Sequence, residues 1–460
     1  MINPILNTDS YKLSHFLQYP PDTEYLSCYI ESRGGDFSHS VFFGLQMFLK
    51  KYLCNPITQS HIDEAEEIAK LHGLPFNKEG WQYILRVHHG FFPIEIEAAP
   101  EGSFVPIHNV LLQVVNTDPQ CAWLASYVET MLLRAIWYPT SVATLSQGCY
   151  KVIRDYLSLT ADNCDGLPFM LHDFGPRGAS SEETAAIGGL AHLVNFMGTD
   201  NLSAIMAARR YYHSEMAGYS IPAAEHSTVI TWGREREREA YENMLSQFGG
   251  KYSTMAVVSN SYDLWNAIDH IWGEELKQAI QISGSTLVIR PDSGTPIEIV
   301  PQALEKLMQT FGFALNTKGY RVLPPYIRLI QGDGVNAQSI KDILEVLKNA
   351  SISAENIVFG IGGELLQKIN RDTQKFAMKV SAIYRNNEWH GVNKDPITDP
   401  GKRSKKGRLA LIKNENAEFE TILKRDLNGK KNELELYFKN GALLRDESLD
   451  TIRARLTTFY

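Results

Sequence analysis

The chain is poor in the features that mark secreted, metal-clustered or membrane-bound proteins. Its 460 residues hold five cysteines (Cys28, Cys54, Cys121, Cys149 and Cys164), an odd number, widely spaced and without a C-x-x-C pair. A disulfide framework and a zinc knuckle are both disfavoured. The opening MINPILNTDSYKLSHF lacks a basic stretch followed by an apolar one, and the longest apolar stretch, Cys121 to Tyr138, is broken by Glu129 and Arg134. Neither a leader nor a membrane span is expected, and the expected location is cytoplasmic. Positive charge is in deficit, with 45 Lys+Arg against 53 Asp+Glu and a net charge of −8, which argues against a nucleic-acid or anionic-membrane surface. Any anion site must be local.

Familiar nucleotide motifs are also missing or broken. GDGVNA (332–337) matches a relaxed dinucleotide fingerprint with Glu355 about 20 residues on. Glu355 opens a strand-like run instead of closing one, and Asp333 would set a carboxylate where a pyrophosphate must approach. HDFG (172–175) and APE (99–101) stand in the wrong order for a kinase, with no H-R-D and no upstream glycine-rich loop. There is no H-E-x-x-H and no G-x-x-x-x-G-K-[ST], so zincin and Walker-type chemistry are unsupported.

What is present changes character along the chain. Residues 1–160 mix elements: a charged amphipathic helix from Ser60 to Leu71, an alternating strand from Pro93 to Ala98 and a long buried helix from Pro119 to Trp137. From about 165, short apolar runs end in polar or glycine residues: FMLHDFG (169–175), LVNFMGTD (193–200), MAVVSNSYD (255–263), TLVIRPDSG (286–294), YIRLIQGDG (326–334), IVFGIGG (357–363) and FAMKVSAIY (376–384). Helical stretches such as Pro301 to Thr310 and Ala337 to Lys348 follow several of them, the pattern of parallel βα units. The expected fold is α/β: an irregular (β/α) barrel over 161–384, with a second mixed α+β domain built from 1–160 and 385–460. Such a barrel keeps its chemistry at the carboxyl ends of its strands.

Those ends offer Asp173, Arg177, Asp200, Asp263, Arg290, Asp292, Asp333 and Arg371, with the glycine turns GDG and GIGG. Taken singly, each Asp or Arg reads more simply as a solvated end or a structural ion pair. Their recurrence at successive strand ends suits a sugar phosphate: arginines grip phosphate bidentately, carboxylates hold a ribose diol or a magnesium ion, and glycines let backbone N–H groups come close.

The chain resembles the nicotinamide phosphoribosyltransferases, type II phosphoribosyltransferases, from TDSYK (8–12) to YFKNG (437–441). The densest matches are LHDFG-x-RG (171–178), AHLVNF-x-GTD (191–200), GYS-x-PAAEHST (218–228), IRPDSG (289–294), QGDGV (331–335), LLQK-x-x-RD (365–372) and KDP-x-x-DP-x-KRSKKGRL (394–409). The resemblance implies transfer of a phosphoribosyl group from phosphoribosyl pyrophosphate to nicotinamide with Mg2+, stimulated by ATP through phosphorylation of His226, in a homodimer with shared sites. It implies that Phe174 and a partner's Tyr11 sandwich the pyridine ring, and that Asp200 accepts from the carboxamide and repels a nicotinate carboxylate. Arg177, Arg290, Arg371, Gly362 and Gly363 become phosphate grips, and Asp292, Gly332 and Asp333 ribose contacts. Lys394 and Lys402 would reach a phosphate across the dimer. His226, Asp292 and Arg290 form the expected catalytic set. For Arg403, Lys405, Lys406 and Arg408 a solvated loop is the preferred reading. The sequence departs from the family at Pro176, Asn260, Ile361 and Glu364, and a carboxylate at Glu364 should weaken an anion site unless it points away. The rivals are a nicotinate-specific enzyme on the same fold and a non-catalytic ligand-binding protein.

Overall fold

The computed structural model describes residues 3–459. The chain forms two compact units: Met1–Thr144, Ala207–Glu215 and Ile369–Tyr460 make the first, and Leu145–Met206 and Met216–Lys368 the second. No helix among the described residues is long and apolar enough to cross a membrane.

The first unit is built on a seven-stranded sheet in the order Glu388–Gly391, Phe376–Arg385, Tyr25–Ser32, Val110–Asn116, Ile94–Ala98, Glu435–Lys439, Ala442–Leu443. Every pairing in it is antiparallel. The strand Ile94–Ala98 alternates buried and half-buried positions, the signature of a sheet with one face on a core. That core gathers Trp81, Phe92, Trp123 and Tyr127 with ring centroids 4.9–5.6 Å apart. The helix Gln59–Leu71 begins where expected, capped by Thr58, whose hydroxyl accepts from the His61 N–H.

The helix expected over Pro119–Trp137 is instead broken into a 3-10 turn at Pro119–Cys121, a short helix at Leu124–Tyr127 and a long one at Glu129–Thr160. The long helix runs past Pro139, and Gly44 lies against the proline ring. A Cβ on Gly44 would come within 2.3 Å of the Pro139 ring, and its φ of +107° suits glycine.

The second unit holds a six-stranded parallel sheet in the order Gly198–Thr199, Leu171–Asp173, Ile357–Ile361, Ile327–Gln331, Thr286–Arg290, Thr254–Val258. Its two edges are joined by the irregular stretch 219–224. Tyr219 bridges to Gly198 and Ala223 to Ala256, with hydrogen bonds from Tyr219 N–H to Met197 O (2.7 Å) and from Ala256 N–H to Pro222 O (2.9 Å). The result is the irregular barrel expected, closed by a piece the sequence did not mark as a strand. Inside it Ala256, Val288 and Ile330 pack with Phe174, Ile221 and Val358. Ala256, Val288, Ile330 and Val358 come from four different strands, and with Phe174 and Ile221 they fill the barrel as a core, not a pore.

Two expectations need correction. FAMKVSAIY (376–384), read as the seventh barrel strand, pairs antiparallel with Tyr25–Ser32 in the other unit; an apolar run carries no information about the direction of its neighbour. Where the sequence suggested boundaries near 160 and 384, the two units divide at 144/145, 206/207, 215/216 and 368/369, the first of these within the long helix Glu129–Thr160. Of LVNFMGTD only Gly198–Thr199 is strand, because the preceding helix Glu182–His192 uses the start of that run for its C-terminal turn.

Candidate active site

The mouth of the barrel is assembled from the strand ends of the second unit. Asp173 closes Leu171–Asp173 fully buried. One carboxylate oxygen accepts from the Gly175 N–H (2.8 Å) and the other from the Asn201 amide (2.9 Å). Burial raises its pKa to about 6, and these two hydrogen bonds oppose the rise. Expected among the polar strand ends, Asp173 is thus an internal brace that fixes the turn carrying Phe174.

The Phe174 backbone is tied to Ile361 O (2.9 Å), and its ring lies over Gly360 and Gly332. A Cβ would come within 2.1 Å of that ring at Gly360 and 3.1 Å at Gly332. Gly360 was not singled out from the sequence, and it is the glycine whose missing side chain makes room for the aromatic platform. At Gly362 and Gly363 a Cβ would meet nothing within 4 Å, so that turn faces open space. Glu364 is paired with Lys368 at 2.5 Å, which offsets part of its charge beside the turn.

Beside the platform stands a charged chain. Arg290 Nη2 is 3.2 Å from Asp292 Oδ2, and the same oxygen lies 3.4 Å from His226 Nε2. The other imidazole nitrogen is 3.3 Å from the Ser261 hydroxyl. Asp292 holds φ = +50°, a conformation that costs a non-glycine residue free energy; it turns the carboxylate back toward both partners. Arg290 Nε and Asn260 Oδ1 are buried with no hydrogen-bond partner. Orphaned polar atoms of this kind are uncommon and mark places where a ligand or water completes the set.

Asp200 follows the strand Gly198–Thr199, its N–H bonded to Asp173 O (3.0 Å) and its exposed carboxylate receiving the Ser220 hydroxyl. Asn201, and not Asp200, caps the helix Leu202–Tyr211, its side-chain oxygen accepting from the Ala204 N–H. This leaves the Asp200 carboxylate facing outward. Arg177 is exposed and 3.8 Å from Glu225, and Asp333 is exposed beyond Gly332. Asp263, also among the polar strand ends, caps the turn Leu264–Asn266 instead.

Phe174, Arg177, Asp200, His226, Arg290, Asp292, Gly332, Asp333, Gly362 and Gly363 therefore share one unit. Tyr11, Arg371, Lys394 and Lys402 belong to the other. Tyr11 is exposed, edge-on to His15. Arg371, expected on the barrel, lies in the 3-10 turn Arg371–Thr373 beside Asp372, because the chain leaves the barrel at Lys368. Lys394 is exposed and Lys402 pairs with Asp399 at 2.9 Å.

Residues 169–437 match the model of the nicotinate phosphoribosyltransferase family, and residues 3–96 match that of the nicotinamide phosphoribosyltransferase N-terminal domain. A protein of Xanthomonas campestris named nicotinamide phosphoribosyltransferase is 50% identical over 458 residues, covering 98% of this chain and 97% of the relative. The chain belongs to the nicotinamide phosphoribosyltransferase family. An Acinetobacter baylyi protein of the same name is 31% identical over 99% of this chain and 97% of its own. The fold agrees with solved structures of nicotinate-nucleotide pyrophosphorylase from Pyrococcus furiosus (TM-score 0.64, 15% identity, 99% of this chain and 95% of that one) and human nicotinic acid phosphoribosyltransferase (TM-score 0.56, 15% identity, 98% and 93%). As a member of this family the chain is a pentosyltransferase that transfers a phosphoribosyl group in NAD salvage.

Sequence reasoning missed Ser220, Asn201, Ser261 and Gly360. Ser220 lies beside Asp200 and Ser261 beside His226, but a hydroxyl on a loop has no spacing rule that announces it. Gly360 is the first glycine of GIGG (360–363), of which only the later pair was assigned to phosphate.

Proposed function

We propose that the chain joins nicotinamide to 5-phosphoribosyl 1-pyrophosphate, giving nicotinamide mononucleotide and pyrophosphate. The pyridine nitrogen attacks the anomeric carbon on one face as the bond to pyrophosphate breaks on the other, through an oxocarbenium-like centre. No proton need move. The site's contribution is to hold the reactants in line and to stabilise charge on the leaving group. Phe174 offers a flat face to the ring, Arg290 and Arg177 offer charge to the phosphates, and Gly332 and Asp292 border the space available to a ribose.

The observation that carries the choice of amide over acid is the outward Asp200 carboxylate, steadied by Ser220. It accepts from a carboxamide N–H. Against a nicotinate carboxylate at ~4 Å it contributes repulsion of roughly 4 kcal/mol at an effective dielectric of 20.

Magnesium is part of the proposal. Among the described residues no group of three His, Cys, Asp or Glu donors converges at the barrel mouth. The chemistry still fits, because Mg2+ is commonly held by one or two carboxylates together with substrate phosphates and water. Asp292 and Asp333 are the carboxylates available to hold it, and it would supply neutralisation of the pyrophosphate. ATP stimulation rests on His226, whose imidazole is partly open and flanked by Asp292 and Ser261. In this reading a ring nitrogen takes the γ-phosphoryl group of ATP and ADP departs. Tyr11, Lys394 and Lys402 are assigned to the partner's site in a cytoplasmic homodimer.

The test is a paired assay with donor and magnesium, offering nicotinamide or nicotinate with and without ATP. Preferential formation of nicotinamide mononucleotide, increased by ATP together with label on His226, is the expected result. Preference for nicotinate overturns the substrate, and absence of label from ATP overturns the phosphohistidine.

A further inference from the structure

The basic run near the C-terminal end, set aside above as a solvated loop, lines a cavity. It lies wholly within the first unit and has a volume of about 780 Å³, lined by Ala382, Trp389, Gly391, Lys406–Arg408 and Leu423–Arg425. That size falls in the range of small-molecule sites and far exceeds what one inorganic anion fills.

Its walls combine a ring and cations. The Arg408 guanidinium stands 4.6 Å from the centroid of the Trp389 indole, and Trp389 is 37% exposed. Lys406 is exposed and makes no ion pair among the described residues, and Arg425 has only Asp426, at 3.7 Å. Arg408 has no ion pair among the described residues either, and its Nε is buried without a hydrogen-bond partner. Burial lowers the Arg408 pKa, with Glu97 and Glu95 opposing. Both of those carboxylates are already engaged, Glu97 by Lys424 at 2.9 Å and Glu95 by Lys439 at 3.2 Å. Among the described residues, no acidic one lines the cavity itself. In a chain of net charge −8, this is a local cationic recess with an aromatic wall and a donor left over.

We propose that this recess is a second ligand site, separate from the barrel, that takes a mononucleotide-sized anion: a planar ring against Trp389 and Arg408, and a phosphate against Lys406 and Arg425. A planar ring is favoured because both indole and guanidinium present flat faces. A phosphate is favoured because the free donors are cationic and an arginine fork matches its oxygens. Lys424 is excluded from the grip because Glu97 holds its charge.

Equilibrium dialysis of the full chain with AMP tests the proposal, with adenosine and inorganic phosphate as separate arms. Arg290→Ala is present in all samples to weaken anion binding at the barrel mouth. AMP is expected to bind, and Trp389→Ala and Lys406→Glu are each expected to weaken it about tenfold or more, the scale of one stacking contact or one ion pair in a recess. Adenosine and phosphate are each expected to bind at least about tenfold more weakly than AMP. Lys406 is exposed, so its variant keeps the test decisive if Trp389→Ala fails to fold. No AMP bound at millimolar concentration overturns the site, as does affinity unchanged in Lys406→Glu. Adenosine binding as tightly as AMP removes the phosphate grip, and phosphate binding as tightly removes the ring wall; either refutes the proposal.

Discussion

The parallel barrel and the antiparallel sheet treat their polar residues in opposite ways. In the barrel all strands run one way, so residues as far apart in sequence as Phe174, Asp200, Arg290 and Gly332 arrive at the same rim. In the sheet successive strands run oppositely, so strand ends scatter to both edges and buried polar groups act as joints. Glu101 is the clearest. One of its carboxylate oxygens, fully buried, accepts from the Gly44 N–H (2.8 Å), the Gln46 N–H (3.1 Å) and the Tyr212 hydroxyl (3.3 Å). Lys12, equally buried, is bound to Glu129 at 2.8 Å. The lesson is that a buried polar residue in one region organises a turn at a site, and in the other holds distant segments together.

Five substitutions sharpen that contrast, beginning with the largest effect. Arg290→Ala should reduce kcat/KM by about 10³-fold, the scale of removing one stabiliser of leaving-group charge, while thermal unfolding moves little. An unfolding temperature many degrees lower would make Arg290 a joint and not a site residue. Glu101→Ala should do the reverse, destabilising the first unit by roughly 3 kcal/mol through stranded buried donors, as read by urea unfolding.

The same carboxyl gives a pH signature. Burial lifts the Glu101 pKa to about 7, against hydrogen bonds that lower it. The folded state therefore binds a proton that the unfolded state has released, so its contribution is full below about pH 4.5 and fades as pH rises through about 7. Glu101→Gln should flatten that part of the stability profile, and an unchanged profile would assign the slope elsewhere. Asp200→Asn should shift the nicotinate-to-nicotinamide ratio of kcat/KM upward at least about tenfold without changing stability. Ser261→Ala is the mildest: a loss of about fivefold in ATP-stimulated rate, with the unstimulated rate intact, matches one hydrogen bond of about 1 kcal/mol to His226. Equal loss in both rates would place Ser261 in the transfer step itself.

Much of this was legible because chemistry at a barrel mouth is written as short motifs. HDFG, GTD and IRPDSG each pair a strand with the turn that follows, and local sequence governs both. Long-range closure was not legible. The stretch 219–224 completes the barrel through two isolated bridges, yet its residues GYSIPAAE (218–225) show neither alternation nor an apolar run. The strand Phe376–Arg385 erred the other way: its apolar content was plain, while its partner, Tyr25–Ser32, lay about 350 residues earlier and nothing local named it. Asp173 and Asp263 were visible as polar strand ends, but only neighbouring donors such as the Asn201 amide decide between brace, cap and ligand contact.

That same pairing bears on how the chain is made. Tyr25–Ser32 lies between Val110–Asn116 and Phe376–Arg385, so during synthesis one of its edges finds a partner early and the other waits for almost the whole protein. At roughly 5–20 residues per second the delay is roughly 20–70 s. Throughout it a row of unpaired backbone groups on an apolar strand stands open to any neighbouring chain. A ribosome that stalls before residue 376 would therefore release a product with a ready edge for aggregation, which makes prompt completion of translation part of this protein's solubility.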